Sequence, residues 1–339
     1  MKRYIFILLM SLGVAMPSHA EVDVTGIIFG HIADSYEWHI AGDAVIHLPC
    51  ILISSDKGVD VFMSDKLEDG KEYKGYSIDE ESGKIVYAKN TVQADGTSKI
   101  EHIRPFDLSI TKNVLELFIV CIILCSVILG LARWYKRNGY KRAPGGFVGM
   151  MEVLVNYIDK EVIKPSIGYG YERFSPYLLT IFLFILTSNL LGLIPIFPGG
   201  ANLTGNIATT LGCAITAWIA INFFAPKEYF KSIFWPDVPL ALKAIPIMPT
   251  IEFIGVFTKP FSLTIRLFAN ILAGHIIILS LTSIIFVCWE MSAALGAPLT
   301  ILSVGLTIFM NCLELLVAFV QAYVFTILTA NFIGLAHSE

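Results

Sequence analysis

Charge is what this chain has least of. Only 15% of its 339 residues are Asp, Glu, Lys or Arg, against roughly 25% in ordinary soluble domains. Long uncharged apolar runs, in a chain that is 55% hydrophobic, read as membrane spans. A mild net charge of −4 and no long basic cluster exclude nucleic acid as a partner. The six cysteines show no ligand-like spacing. Cys121, Cys125, Cys213, Cys288 and Cys312 lie in apolar stretches, where cysteine behaves as a small hydrophobe, and Cys50 stands alone outside them. Neither a disulfide framework nor a zinc site follows. There is no G-x-x-x-x-G-K-[ST] phosphate loop, so nucleotide binding is not expected. No cofactor or metal is implied.

Residues 1–20 have the form of a secretory signal. Lys2 and Arg3 precede an apolar core from Tyr4 to Met16, and Ser18 and Ala20 are small residues at the −3 and −1 positions before Glu21. Such a core is short for a span and suited to a signal; the alternative is an uncleaved anchor. Residues 21–113 then carry 17 Asp and Glu against 9 Lys and Arg. Short alternating runs, Val59 to Met63 and Lys84 to Tyr87, are separated by turn signals at Asp69-Gly70, Ser82-Gly83 and Asp95-Gly96. This predicts a small β-rich exported domain. His31, His39 and His47 recur every eight residues. Without cysteine or a close carboxylate they read as scattered structural histidines rather than a metal site.

The membrane domain is placed at 114–339. Val114 to Trp134 is the first mature span, with Glu116 near its exported end. Arg133, Lys136, Arg137, Lys141 and Arg142 put five positive charges in ten residues at its other end, which makes that end cytoplasmic. The signal gives the same orientation. Gly146 to Arg173 reads as an interfacial amphipathic segment. Ser175 to Phe197 is a second span and Ala201 to Phe224 a third, joined by a turn at Pro198-Gly199-Gly200. Residues 226–243, with Lys227, Lys231 and Lys243, return to the cytoplasm. Two long stretches complete five mature spans and leave the C-terminus cytoplasmic. The fold class expected is an all-α polytopic membrane protein with a small β-rich exported N-terminal domain.

Those last two stretches are too long. Residues 247–290 make about 66 Å of helix and 298–336 about 58 Å, whereas a hydrocarbon core is about 30 Å thick. Confining 58 Å to that core needs a tilt of roughly 60°, beyond the usual range. The helices are therefore broken, project from the membrane, or lie nearly flat against a partner surface.

Between 247 and 336 the only charged side chains are Glu252, Lys259, Arg266, Glu290 and Glu314. A charge at bilayer depth costs from about 3 to more than 10 kcal/mol, so such residues are functional sites by default. On a helix, Ser262, Arg266, Asn270 and Gly274 share one face with a drift of about 40° per step, and Ala269 and Ala273 lie beside them. Small residues let a second helix approach closely and bring a partner carboxylate to the arginine. His275 is nine residues on, on the opposite face and about 13.5 Å along the axis, and an imidazole exchanges protons near neutral pH. Ser303, Thr307, Asn311, Glu314, Ala318 and Gln321 form a polar stripe at helical spacing. Glu252 is a further acid near the cytoplasmic end of its helix. The plainer readings are helix-packing contacts for Ser262, Ser303 and Thr307, and an internal salt bridge for Arg266 and Glu314.

The run Lys259-Pro260-Phe261-Ser262-Leu263-Thr264-Ile265-Arg266-Leu267-Phe268-Ala269-Asn270 resembles the signature of subunit a of F-type ATP synthases, roughly K-P-x-S-L-x-x-R-L-F-[AG]-N. Thr187 to Pro195 (TSNLLGLIP) and Gln321 to Phe325 (QAYVF) agree in order and spacing. The resemblance covers 114–336 and implies a non-catalytic, proton-conducting stator in a bacterial inner membrane. Its two long helices would wrap a ring of c subunits. Its other partners would be the b subunits of the peripheral stalk, the remaining ATP synthase subunits and lipid. Arg266 matches the essential arginine that attracts the c-subunit carboxylate and blocks leakage between two half-channels. Asn270 and Gln321 match its polar neighbours, and Glu252, His275 and Glu314 match proton-pathway positions. Many bacterial members carry Glu at the position of His275 and His at that of Glu314; here the pair is exchanged. The resemblance does not extend to the exported domain. Competing readings are a secondary transporter, which predicts an internal repeat that is not seen, and a structural anchor in which Arg266 is dispensable.

Overall fold

A computed structural model describes residues 33–41, 44–54, 58–79, 82–92, 98–139, 143–194, 197–234 and 247–337. The signal at 1–20, His31, Asp95-Gly96, Lys141, Arg142, Pro195 and Lys243 lie outside the described residues, as do the side chains of His39, Glu252 and Glu290.

The strands of the first unit pair antiparallel: β1 (Glu37–Ala41), β2 (Ala44–His47), β3 (Pro49–Ser54), β4 (Gly58–Met63), β5 (Tyr76–Ile78), β6 (Ile85–Val92), β7 (Ser98–Ile103) and β8 (Phe106–Asp107). They form three small sheets, β1-β2, β4-β3-β8 and β5-β6-β7. Along β3 the period of two turns Cys50, Leu52 and Ser54 inward, toward a core of Tyr36, Phe62, Leu67, Tyr76, Ile85 and Tyr87. Burial pushes the Cys50 thiol up to about 12. It also raises the Tyr36 hydroxyl, which donates to Asp107 at 2.5 Å. The alternation in β4 runs opposite to a simple hydrophobic-in pattern. Phe62 points inward, whereas Val59, Val61 and Met63 are exposed. Asp60 meets Lys74 at 2.5 Å and Tyr76 at 3.2 Å. Ser82-Gly83 makes the β5–β6 turn. Asp69-Gly70 instead closes a 3-10 helix, Ser64–Gly70. His47 sits 3.6 Å from Glu37 across the β1–β2 pair.

The remainder is helical: α1 (Lys112–Asn138), α2 (Gly146–Tyr157), α3 (Ser175–Gly192), α4 (Ile207–Phe223), α5 (Lys227–Phe234), α6 (Ile247–Met291) and α7 (Ala293–His337). Between α2 and α3 the chain continues through a π-helix, Ile158–Ile163, and a short turn at Lys164–Ile167. Helices α1, α3, α6 and α7 are long and apolar enough to cross a membrane, and the chain is a multi-pass membrane protein. The third expected span, 201–224, is shorter than that. Only Ile207–Phe223 is helical, and it falls below the spanning length. The reason is local. The Asn202 carboxamide accepts from the Gly205 N–H, and the Asn206 side chain caps α4 by accepting from the Ala208 N–H. Residues 201–206 thus form a turn before the helix starts.

Both long helices are continuous at 45 residues, about 68 Å each; neither is broken. Pro260 lies inside α6, where its missing N–H frees the carbonyl four residues back. That carbonyl, on Val256, is taken by the Trp218 indole N–H of α4 at 3.1 Å. The core of the unit gathers Leu178, Ile181, Phe182 and Ile185 of α3, Ala214, Ala217 and Ile221 of α4, Leu263, Leu267 and Ile271 of α6, and Phe325 and Ile333 of α7. Gly334 lets α7 meet the 164–167 turn: a Cβ there would stand 2.1 Å from the Ser166 carbonyl oxygen.

Candidate functional site

The buried stripe of α6 decides where its polar residues point. Leu263, Leu267 and Ile271 step by four and face the core. Ser262, Arg266, Ala269, Asn270 and Ala273 lie on the other side, and all are exposed. Among the described residues no carboxylate pairs with Arg266. The internal salt bridge expected of a purely structural arginine is therefore not formed within them. Gly274 departs from this face. Four-residue steps drift by about 40° each, and by Gly274 the drift has carried the backbone against α7. A Cβ at Gly274 would stand 2.9 Å from Glu314 Oε1.

His275 continues the core-facing side, four residues beyond Ile271. Its Nδ1 is 2.6 Å from Glu314 Oε1, and the side chains are 17% and 4% exposed. The second oxygen, Oε2, has no hydrogen-bond partner among the described residues. The α7 stripe holds for Ser303, Glu314, Ala318 and Gln321, which are buried, and for the half-buried Thr307. Asn311 leaves it: the residue is exposed and its amide donates to the Thr307 carbonyl at 2.9 Å. At 100° per residue Asn311 is rotated furthest from the stripe's mean, about 80° from Ser303. Ser303 donates to the Leu281 carbonyl at 3.1 Å, a contact that pins α7 to α6. Glu252 lies on the first turns of α6, about 21 Å along the axis before Arg266.

One polar residue behind the pair carried no role in the reading from sequence. Asn189 of α3 is buried, donates to the Ala318 carbonyl at 3.0 Å and accepts from the Thr204 hydroxyl at 2.7 Å. Ala318 is one turn beyond Glu314, so this amide fixes α7 at the height of the pair. Its signal in the sequence is a carboxamide inside the apolar run 181–194. Periodicity could not say what it would meet, because its partners lie in α7 and in the 201–206 turn.

Residues 114–334 match the family model for the ATP synthase A chain. The chain belongs to this family. It is 44% identical over 233 residues to ATP synthase subunit a of Chloroherpeton thalassium, spanning 68% of this chain and 67% of that protein. It is 47% identical over 239 residues to that of Chlorobium phaeobacteroides, spanning 69% and 67%. For Pelodictyon phaeoclathratiforme the figures are 46% over 246 residues, 71% and 69%. As a subunit a, the chain is a membrane component of the ATP synthase complex. Residues 27–108 match a second model, described as a domain of unknown function, DUF8433.

Proposed function

We propose that this subunit a is the proton-conducting stator of an F-type ATP synthase, and that the Ser262–Ala273 face of α6 is where the c-ring turns. The observation that carries this is Arg266: a guanidinium in an apolar helix, exposed, unpaired among the described residues, and flanked by Ala269, Asn270 and Ala273. Its cost in a bilayer is repaid by an ionised carboxylate brought close over small neighbours. Each passing c-subunit carboxylate is attracted to it, and the fixed positive charge bars protons from crossing directly between two offset half-channels. Asn270, exposed on the same face, and Gln321 of α7 are the polar neighbours that steady the arginine as each carboxylate passes. Glu252 serves the cytoplasmic half-channel, and His275 with Glu314 serves the exported one. The helix lengths of α6 and α7 support the strongly tilted arrangement against a ring.

The topology proposed has five spans, α4 being the short third one. Residues 1–20 are a signal peptide, 21–113 a periplasmic domain, 114–339 the membrane domain of an inner-membrane protein, and the C-terminus is cytoplasmic. Besides the c-ring, the partners are the b subunits and the other ATP synthase subunits. The chain conducts H⁺ and catalyses no reaction itself.

A cross-linking experiment tests the docking face. With one cysteine at Ala269 or Ala273 and another beside the c-subunit carboxylate, oxidation of the assembled complex should give an a–c dimer above the background of native cysteines. Links that form no more readily from position 269 or 273 than from the core-facing position 271 would contradict the assignment.

A further inference from the structure

Ten buried side-chain N and O atoms lack a hydrogen-bond partner among the described residues, and four of them fall at one seam. These are both carboxylate oxygens of Glu116, Ser188 Oγ and Asn202 Nδ2. The seam lies where α1, α3 and the 201–206 turn meet. Val120, Leu191 and Leu203 pack together there. Glu116 is one turn before Val120, Ser188 nearly one turn before Leu191, and Asn202 next to Leu203. Glu116 is fully buried. The charged group acting on it is Lys112, one turn earlier, itself buried and under the influence of Asp34 from the β unit. The Leu203 backbone N–H directs its dipole at the carboxylate from outside hydrogen-bond geometry.

A carboxyl group with neither oxygen hydrogen-bonded is costly to bury, most of all when ionised, and an ionisable residue in such a place is a functional candidate by default. Nor is the seam isolated from the pair described above. Thr204, the residue after Leu203, donates to Asn189, and Asn189 holds the Ala318 carbonyl one turn from Glu314. Polar groups therefore run from the seam through Thr204 and Asn189 to the Ala318 carbonyl, one turn from the Glu314–His275 pair, with unpaired carboxyl oxygens on Glu116 and on Glu314.

We propose that Glu116 is a proton-loading residue of the exported half-channel, passing protons along this seam to Glu314 and His275. A proton from exported-side water adds to one Glu116 oxygen. It leaves to a water molecule in the seam, regenerating the carboxylate, and a proton is delivered in turn to the Glu314–His275 pair. No bond other than O–H or N–H is made or broken. The inference rests on the reading of the chain as a proton-conducting stator.

The test is proton flux through complexes in liposomes, stripped of the catalytic sector and driven by a potassium diffusion potential that draws protons from the exported side. Glu116→Gln keeps size and polarity but cannot carry the proton. Its flux should fall severalfold and lose the parent's dependence on exported-side pH, while Glu116→Asp retains that dependence. Parental flux and pH profile in Glu116→Gln would overturn the proposal. Should Glu116→Gln not assemble, Asn202→Cys reports on the same seam. Silver ions added from the exported side should block its flux beyond the parent's own cysteine background, and equal sensitivity would overturn the proposal. Arg266→Ala separates the two levels. If Arg266→Ala still couples normally, the stator reading fails; if only Glu116→Gln behaves as the parent, the loading role alone fails.

Discussion

His275 and Glu314 show how much a single contact depends on which residue types stand at its two ends. Separated by 2.6 Å and largely withdrawn from solvent, one carboxylate and one imidazole can share a proton, whichever helix carries which. Changing only His275→Glu places two carboxylates at this spacing, where both cannot ionise. Changing only Glu314→His places two imidazoles there, which repel when protonated. We therefore expect the double exchange, His275→Glu with Glu314→His, to retain more ATP-driven proton pumping than either single change. Two single variants that pump like the parent would show that the pair is not used. Arg266 is the converse case. Its cost was legible in the sequence because a cation in an apolar helix is expensive wherever it points. Helical arithmetic set His275 opposite Arg266, but its pairing with Glu314 on a separate stretch was suggested only by the exchanged positions in the resemblance, and the drift that removed Gly274 and Asn311 from their expected faces set the limit of that arithmetic.

At the scale of elements, helix identity followed from apolar length, and the positions of α1, α3, α6 and α7 were readable from it. What composition could not give was the start of α4. Residues 201–206 are more polar than the helix that follows, but hydropathy does not show that Asn202 and Asn206 use their side chains to build a turn and a cap. Nor could it show how α6 passes Pro260 without breaking. The orphaned Val256 carbonyl is satisfied by Trp218 of another helix, a tertiary contact invisible to local pattern. Trp218→Phe keeps the ring and removes the donor. It should cost about 1 kcal/mol, the size of intramembrane hydrogen bonds, read as a lower temperature of dissociation of the detergent-solubilised complex. An unchanged temperature would mean that α6 finds another way to satisfy the carbonyl.

Across the whole molecule, the β unit is tied to the membrane unit at specific points. Trp38, buried in β1, meets Phe197 of the α3–α4 connection edge-on with centroids 5.3 Å apart. The Ser35 carbonyl and the Asp34 carboxylate accept from the first N–H groups of α1, Lys112 and Asn113. The β unit therefore caps the helix that bears Glu116 and braces the connection that leads into the 201–206 turn. Phe197→Ala should cost about 1 kcal/mol of this docking, as expected for an aromatic pair. The readout is faster proteolytic release of the β unit from membranes, and release at the parental rate would show that the contact carries no docking energy. The sequence announced a β-rich domain through its alternation and turns but not its seat, since Trp38 looks like any core aromatic. Coupling of proton flow to the ring rests on Arg266, and the most direct measurement is ATP-driven proton pumping by the assembled complex in liposomes with Arg266→Ala. The stator role predicts loss of pumping at normal assembly; pumping at the parental rate would contradict it.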